Sequence, residues 1–298
     1  MKILVTGSNG LLGQKLTALL GNHPHHALVR TSRAPQEGAP GEWHPMDITD
    51  ANSVKSVIDA VNPDAVIHAA AMTMVDDCEQ QREACWKANV DGTQNVLQAC
   101  SEIGAHVIHV STDFIFDGST GPLTEEAEPD PVNFYGESKL EAERLVMKYS
   151  GDWAILRTVL VYGLTPDRSR SNIVLWVKTN LESGKPIRVV DDQWLTPTLA
   201  EDLAMGCLLA AEHHATGIYH VSGPEMLTPY DMAMQTAAYF GLDNSLITRT
   251  DSTQFTQPAK RPLRTGFIID KARRAWGYAP RSFREGIEVM QSQMGSQA

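Results

Sequence analysis

The first half of the chain alternates between short runs that are apolar throughout and longer stretches whose apolar residues recur at helical spacing. The short runs predict strands and the longer stretches predict helices. Strands are predicted over 2–6, 26–30, 64–69, 105–110 and 153–161, and helices over 11–20, 51–61, 79–102 and 133–150. Uniformly apolar strands between helices are typical of a parallel sheet covered on both faces. The pattern predicts an α/β fold, a Rossmann-like doubly wound parallel sheet.

The alternation loosens after Gly163. It predicts a loop over 165–170, helices over 172–183, 200–211, 229–240 and 283–291, and short strands over 187–190 and 217–221. We predict a dinucleotide-binding domain over 1–162 and a smaller C-terminal lobe, mainly for substrate, over 163–298. Some elements at about 191–221 are expected to return to the main sheet. The stretch 117–131, rich in Gly, Pro and acidic residues, predicts a loop that closes over substrate.

Composition narrows the class of protein. A net charge of −11 over 298 residues argues against nucleic-acid binding, which needs a basic face. The four cysteines form no C-x-x-C pair, which favours reduced thiols. The chain starts directly with a predicted strand, without a secretory leader, and no apolar run is long enough to span a bilayer. A cytoplasmic protein is expected.

A glycine-spaced loop, Gly7-x-x-Gly10-x-x-Gly13, joins the first predicted strand to the first predicted helix. In dinucleotide-binding folds such glycines allow a tight turn, approach of backbone to a pyrophosphate, and close packing of helix on strand. The helix N-terminus then offers free N–H groups to the phosphates. The loop predicts cofactor contacts from Gly7, Asn9, Gly10, Leu11, Leu12 and Gly13. The alternative is a structural turn in a domain without cofactor.

The residues after the second predicted strand bear on the choice of cofactor. An acidic residue there would accept a hydrogen bond from the ribose 2′-hydroxyl of NAD. The chain instead carries Arg30, Ser32 and Arg33, which suit a 2′-phosphate. NADPH is therefore the predicted donor, with NADH left open, unless the arginines are merely solvated. Asp47 and Ile48 are predicted to border the adenine ring.

Three residues predict carbonyl chemistry. Tyr135 and Lys139 are four apart in a predicted helix, so they share one face. An adjacent ammonium would lower the pKa of the tyrosine, and the lysine could also bind the nicotinamide ribose. Thr112 stands at the carboxyl end of a predicted strand, where it could donate to the same carbonyl oxygen. The alternative is a surface tyrosine beside a solvated lysine.

These motifs resemble those of the extended short-chain dehydrogenases/reductases, and in particular the dTDP-4-dehydrorhamnose reductase family. The resemblance rests on the glycine loop and on the segments 69–76, 111–118, 135–139, 192–198 and 260–262. It implies Thr112, Tyr135 and Lys139 as catalytic residues. It also implies cofactor contacts at Ala69, Ala70, Ala71 and Asn89, and a nucleotide-sugar pocket near Thr73, Val75, Thr112 and Asp113.

The chain departs from that family at two places. Leu160 stands where the family commonly has a tryptophan against the sugar nucleotide, which puts the sugar in question. The first helix lacks the acidic residue through which some members bind a metal, so no metal is predicted. Trp194 lies in a segment that resembles the family's substrate side and is predicted near the pocket. His23, His25 and His26 have no nearby carboxylate or Cys in sequence and predict a surface turn.

The predicted function is NADPH-dependent reduction of a 4-keto-6-deoxy nucleotide sugar, with Tyr135 as proton donor. One alternative is a nucleotide-sugar epimerase or dehydratase, although Phe114 follows Asp113 where dehydratases carry Glu. Another is a non-catalytic NADP-binding subunit resembling the regulatory subunit of methionine adenosyltransferase. A nucleotide sugar is the expected partner, with no nucleic acid or membrane, and a homodimer is left open.

Overall fold

The structure, a computed structural model, describes residues 1–21, 23–165 and 172–295. Its strands are β1 (Lys2–Thr6), β2 (Ala27–Ser32), β3 (Glu42–Pro45), β4 (Ala65–His68), β5 (His106–Thr112), β6 (Trp153–Thr158), β7 (Val161–Tyr162), β8 (Ile187–Val190), β9 (Thr198–Leu199), β10 (Gly217–His220) and β11 (Ile247–Thr250). Its α-helices are α1 (Leu11–Leu20), α2 (Ala51–Val61), α3 (Val75–Gln80), α4 (Arg82–Trp86), α5 (Gly92–Ile103), α6 (Phe134–Met147), α7 (Ile173–Glu182), α8 (Ala200–Glu212), α9 (Pro229–Phe240), α10 (Asp270–Trp276) and α11 (Phe283–Gly295).

Seven strands form one parallel sheet in the order β10-β6-β5-β4-β1-β2-β3. The chain runs outward from β1 to β3 and then crosses back to β4 on the other side of β1. This reversal creates a switch point between β1 and β4, where ligands of doubly wound sheets bind. The predicted Rossmann-like architecture is confirmed.

Helices cover both faces of this sheet because successive strand residues point to opposite sides. Ile3 and Val5 of β1 pack into one buried cluster, which also holds apolar residues of α1 and α8. Leu4, between them, packs into a second cluster with residues of α2, α5 and α6. The uniformly apolar strands of the sequence are therefore those of a sheet that is buried on both faces.

The C-terminal part has its own apolar cluster, in which α7 and α9 pack against the parallel pair β8 and β11. Within the stretch expected to return to the main sheet, β10 does so and pairs with β6. The short β9 pairs instead with β7. The domain division after residue 162 stays a prediction.

Several elements differ from the sequence prediction. The helix predicted over 79–102 is broken into α4, a five-residue π-helical turn at Lys87–Asp91, and α5. The strand predicted over 153–161 ends at Thr158. The pattern missed β3, β11 and α10. The loop predicted over 165–170 lies outside the described residues apart from Thr165, which is buried.

The stretch 117–131 is fixed to the C-terminal part of the chain. The Leu123 N–H donates to the Gly266 carbonyl at 2.7 Å, and the Ile268 N–H donates to the Leu123 carbonyl at 2.8 Å. The carboxylate of Glu125 accepts from the His220 N–H at 2.9 Å. These bonds connect the loop to β10 and to residues 266–268, and its role as a lid stays a prediction.

All four cysteines are buried and free of disulfide bonds. No helix in the described ranges combines the length and apolarity needed to cross a lipid bilayer.

Candidate active site

A cleft of about 1200 Å³ opens at the carboxyl edge of the sheet. It is lined by nearly all residues that the sequence predicted: Gly7, Asn9, Gly10, Leu11, Leu12, Gly13, Ser32, Arg33, Asp47, Ile48, Ala69, Ala70, Ala71, Thr73, Val75, Thr112, Asp113, Tyr135, Lys139 and Leu160. Three predicted residues, Arg30, Asn89 and Trp194, lie outside this lining. One cleft therefore connects the glycine loop to the tyrosine and lysine, as a dinucleotide and its substrate require.

The glycine loop has the backbone that a phosphate site needs. Gly7 has a φ of +69°, and a Cβ there would lie 2.8 Å from the Ala70 Cα. A Cβ on Gly13 would lie 2.3 Å from the Gly7 carbonyl oxygen. Among the described residues no side chain caps α1 at Gly10, so N–H groups of its first turn are left for a ligand. This end of the cleft fits a dinucleotide pyrophosphate.

Arg30 was predicted to bind a 2′-phosphate, but it does not line the cleft. Its side chain is buried, and Nη2 donates to the carbonyls of Ala39 and Gly41 at 3.0 and 3.2 Å. Burial lowers the pKa of its guanidinium. The side chain therefore braces the connection between β2 and β3, a role that spacing along the sequence cannot reveal.

Arg33 is exposed at the cleft beside Asp47. The pKa of Asp47 is lowered, first by the hydrogen bond from the Thr49 N–H and also by the charge of Arg33. The Ser32 hydroxyl is engaged, because it donates to the Ala34 carbonyl at 2.6 Å and accepts from Trp43 Nε1 at 2.9 Å. Of the two arginines predicted for a 2′-phosphate, Arg33 is the one that lines the cleft.

Asn89 acts behind the wall of the cleft. Its Oδ1 accepts from the Met72 N–H at 2.8 Å, and its Nδ2 donates to the Met72 carbonyl and to Ser138 Oγ, both at 3.0 Å. The amide therefore joins the segment after β4 to helix α6. Both ends of the amide are occupied and Asn89 does not line the cleft, so its direct contact with a cofactor stays a prediction.

Tyr135 and Lys139 lie on one face of α6, whose first turn is capped by Asn133 Oδ1 accepting from the Gly136 N–H at 2.9 Å. Tyr135 is 7% exposed, and Thr112 lines the cleft beside it. Burial raises the pKa of Tyr135 above its ordinary value. The expectation that Lys139 lowers this pKa is not met.

The Lys139 ammonium contacts β5. Nζ donates to the Val110 carbonyl at 2.8 Å and to His109 Nε2 at 3.1 Å. Burial lowers the pKa of Lys139 to about 8, although the charge of Glu143 opposes this shift. His109 is thus a direct partner of Lys139 at the cleft.

Glu143 continues the same helix face and forms a buried ion pair with Arg157 of β6. Arg157 Nη2 donates to Glu143 Oε2 at 2.7 Å, and Nε donates to Oε1 at 3.0 Å. The two side chains are only 3% and 0% exposed. The pair fixes α6, and with it Tyr135 and Lys139, against the sheet.

Asp113 is fully buried beside Thr112. Its carboxylate accepts from the Thr112 hydroxyl at 3.2 Å and from the Thr265 hydroxyl. Burial raises the pKa of Asp113 to about 6, while the two hydroxyl bonds act in the opposite direction. Thr265 thereby connects the C-terminal part of the chain to the reacting residues.

The far end of the cleft is lined by residues that sequence reasoning did not single out: Gln193, Leu195, Gln257, Arg261, Pro262 and Thr265. Arg261 donates to Asp76 through two nitrogens, at 2.6 and 2.9 Å. The residues come from distant parts of the chain. The available signals were the resemblances at 192–198 and 260–262, which gave no role to Gln193, Leu195 or Arg261.

Leu160 and Trp194 were both predicted at the substrate. Leu160 lines the cleft, is 44% exposed, and has a φ of +30°, which is unusual for a branched residue. Such strain is found at ligand sites. Trp194 lies outside the lining and contacts Arg264, whose Cζ is 5.7 Å from the ring centroid. Its neighbours Gln193 and Leu195 face the cleft instead, because side chains alternate in an extended segment.

The fold brings the carboxylate of Glu212 close to the histidines of the α1–β2 turn. Ligand atoms of His23, His26 and Glu212 lie within 4.8 Å of one another. The rings of His23 and His26 stack nearly parallel, with centroids 4.3 Å apart, so their in-plane lone pairs do not converge on one point. His26 Nε2 is instead 2.8 Å from Glu212 Oε1, a contact between the turn and α8.

Comparison with known proteins shows that the chain matches a protein family along nearly its whole length. The family model described as "RmlD substrate binding domain" matches residues 1–295. The chain is 32% identical over 276 residues to a dTDP-4-keto-6-deoxy-D-glucose reductase of Streptomyces niveus, covering 91% of this chain and 90% of that one. It is 33% identical over 250 residues to methionine adenosyltransferase 2 subunit beta of Xenopus tropicalis, covering 82% and 73% of the two chains.

A solved structure matches along nearly the whole fold. It is the dTDP-4-dehydrorhamnose reductase of Bacillus anthracis in complex with NADP. The TM-score is 0.85 at 27% identity, over 98% of this chain and 99% of that one.

Proposed function

The chain belongs to the RmlD substrate-binding-domain family, and we propose that it reduces the 4-keto group of a 6-deoxy nucleotide sugar with NADPH. It is an NAD(P)-dependent oxidoreductase of the extended short-chain dehydrogenase/reductase type. The observation that carries the proposal is the single cleft in which the glycine loop meets buried Thr112, Tyr135 and Lys139. The similarity to named keto-sugar reductases supports the substrate class.

The chain's own residues would bind the two ligands and supply the proton. The glycine loop would hold the pyrophosphate, and Arg33 the 2′-phosphate. When bound, NADPH supplies the hydride. Tyr135 would give its proton to the developing alkoxide, since its phenol is protonated at neutral pH. Thr112 would donate to the same oxygen when its hydroxyl proton turns from Asp113 to the substrate.

A panel of nucleotide sugars, followed by NADPH absorbance, tests the proposal. Steady NADPH oxidation with a 4-keto-6-deoxy nucleotide sugar is expected. No oxidation across the panel would contradict it. The similarity to a methionine adenosyltransferase subunit favours a second candidate, a regulatory subunit that binds NADP without turnover. Tight NADP binding without oxidation of any keto sugar, together with altered kinetics of an added methionine adenosyltransferase, would favour that candidate.

The choice of cofactor should depend on Arg33. Arg33→Ala should reduce the preference for NADPH over NADH by about 10-fold or more, since one charge-assisted hydrogen bond contributes about 1.5–3 kcal/mol. The measurement is kcat/KM with each cofactor. Arg30→Ala is the matched control: it should lower stability, because its partners are backbone carbonyls, and leave the NADPH/NADH ratio unchanged. An unchanged ratio in Arg33→Ala would exclude the assignment.

The sugar pocket should respond to Leu160. Leu160→Trp should lower KM for dTDP-4-keto-rhamnose by roughly 2–10-fold, since an aromatic contact is worth about 0.5–1.5 kcal/mol. The value of kcat should stay nearly constant, because contacts equal in ground and transition states affect binding alone. Leu160→Ala is the control and should not improve KM. Wild-type kcat/KM already near roughly 10⁴ M⁻¹s⁻¹ or above for this sugar would refute an altered pocket.

A further inference from the structure

The Lys139 ammonium has an imidazole as one of its two acceptors. Lys139 and His109 are 3% and 1% exposed, and Nζ lies 3.1 Å from His109 Nε2. An ammonium has only donors, so Nε2 must carry the lone pair and Nδ1 the proton. The geometry therefore requires a neutral ring in one tautomer.

The surroundings keep that ring neutral. Burial holds the pKa of His109 well below its ordinary value, and the charge of Lys139 and the nearby His68 act in the same direction. His68 lies 5.4 Å away between ring centroids, and its own pKa is lowered to about 3 by burial. Its nitrogens contact Thr6 and Thr93, so it does not compete for Lys139.

We propose that His109 is a positioning residue, whose neutral ring holds the Lys139 ammonium in place at the cleft and keeps it charged. The proposal rests on the proposed function only in taking Lys139 to serve the reaction. Val110 supplies the second acceptor from the same strand. The Val110 acceptor is a backbone carbonyl and is kept in any substitution. Of the two acceptors of Lys139, only the His109 ring can therefore be removed by changing a side chain.

Other groups around Lys139 also set its charge. Glu143, one turn on along α6, favours the ammonium, as does Cys85 of α4. Arg157 holds Glu143 in place. His68 of β4 is neutral, and Tyr135 precedes Lys139 by one turn of the same helix. With these groups unchanged, removing the His109 acceptor should disfavour the ammonium and lower its titration midpoint.

The first measurement uses the protein without cofactor. Lysine labelled with carbon-13 at Cε is titrated by NMR, and the Lys139 signal is assigned by its loss in Lys139→Met. The wild-type midpoint should lie at about 8. In His109→Leu it should fall by about one to two pH units, the equivalent of one charge-assisted hydrogen bond.

Two further variants separate positioning from structure. In His109→Gln the amide oxygen reaches the place of Nε2, so the midpoint should return to within about half a unit of wild type. His109→Asn is similarly polar but shorter, and the midpoint should stay low. His106→Leu is the matched control on β5. The His106 ring is hydrogen-bonded to the Ala215 carbonyl at 2.8 Å, so its loss should lower stability and leave the Lys139 midpoint unchanged.

The second measurement is the alkaline limb of NADPH oxidation, which should move by the same amount as the NMR midpoint. A His109→Leu protein that folds with an unchanged midpoint would overturn the proposal. If that variant does not fold, equal midpoints in His109→Gln and His109→Asn would overturn it. If the Lys139 midpoint falls in His109→Leu but the wild-type protein reduces no keto sugar, the proposed function is contradicted and the role of His109 is supported.

Discussion

Replacing Tyr135 by phenylalanine should lower kcat with a keto-sugar nucleotide by roughly 10²–10⁴-fold, the usual contribution of a positioned proton donor. The ring stays in its buried site, and only the hydroxyl next to Thr112 is lost. Binding of NADPH should be nearly unchanged, since the hydroxyl acts on the substrate. Steady-state kinetics and a fluorescence titration with NADPH give the two quantities.

Tyr149→Phe is the matched control for this substitution. Tyr149 is also buried, its hydroxyl donates to the Ala105 carbonyl at 2.7 Å, and neither residue lines the cleft. Its loss should cost about 1 kcal/mol of stability and leave kcat unchanged. Lys139→Ala, by contrast, should reduce both kcat and NADPH affinity. Near-normal turnover in Tyr135→Phe would mean that another group supplies the proton.

The sequence-based prediction and the structure disagree most clearly on the pKa of Tyr135. The four-residue spacing places Tyr135 and Lys139 on one helix face, and this is what the structure has. Spacing cannot show which acceptors the ammonium finds, and His109 and Val110 provide them from β5. Burial of Tyr135 has the largest effect on its pKa, which therefore rises. A protonated phenol still suits a reductase, because the reduction consumes a proton.

Patterns repeated along the chain predicted the fold well. Uniformly apolar strands and the glycine loop require only local sequence, and both appear in the structure as expected. The π-helical turn at Lys87–Asp91 was missed, because Asn89 makes tertiary bonds to Met72 and Ser138 there. Such bonds form between segments distant in sequence, which helical periodicity does not encode.

The same limit applies to the candidate site. Arg30 and Arg33 are equivalent as residue types, but backbone carbonyls of the β2–β3 connection capture one of them. Thr265 reaches Asp113 from 152 positions away. Neither fact follows from composition or spacing. What the sequence predicts is the set of reactive groups, and the fold decides which of them meet.

Removing one partner of the buried Glu143–Arg157 pair should be among the most destabilising single changes in the protein. Glu143→Gln leaves the Arg157 guanidinium, 3% exposed, without its counter-charge. Such changes cost about 3–5 kcal/mol, or roughly 5–15 °C in Tm. The exposed contact between Lys55 and Glu102 is the control, and Glu102→Gln should cost about 1 kcal/mol or less.

Replacing both partners with apolar residues of similar size, Glu143→Leu with Arg157→Met, should cost less than the single change, since no buried charge is left unpaired. Thermal and urea unfolding of the three variants measure this. Glu143→Gln should also move the alkaline limb of activity to lower pH, because Glu143 favours the charged form of Lys139. That shift has the same sign as the one expected for His109→Leu. A Glu143→Gln protein as stable as wild type, with an unmoved limb, would show that the pair neither anchors α6 nor supports the lysine charge.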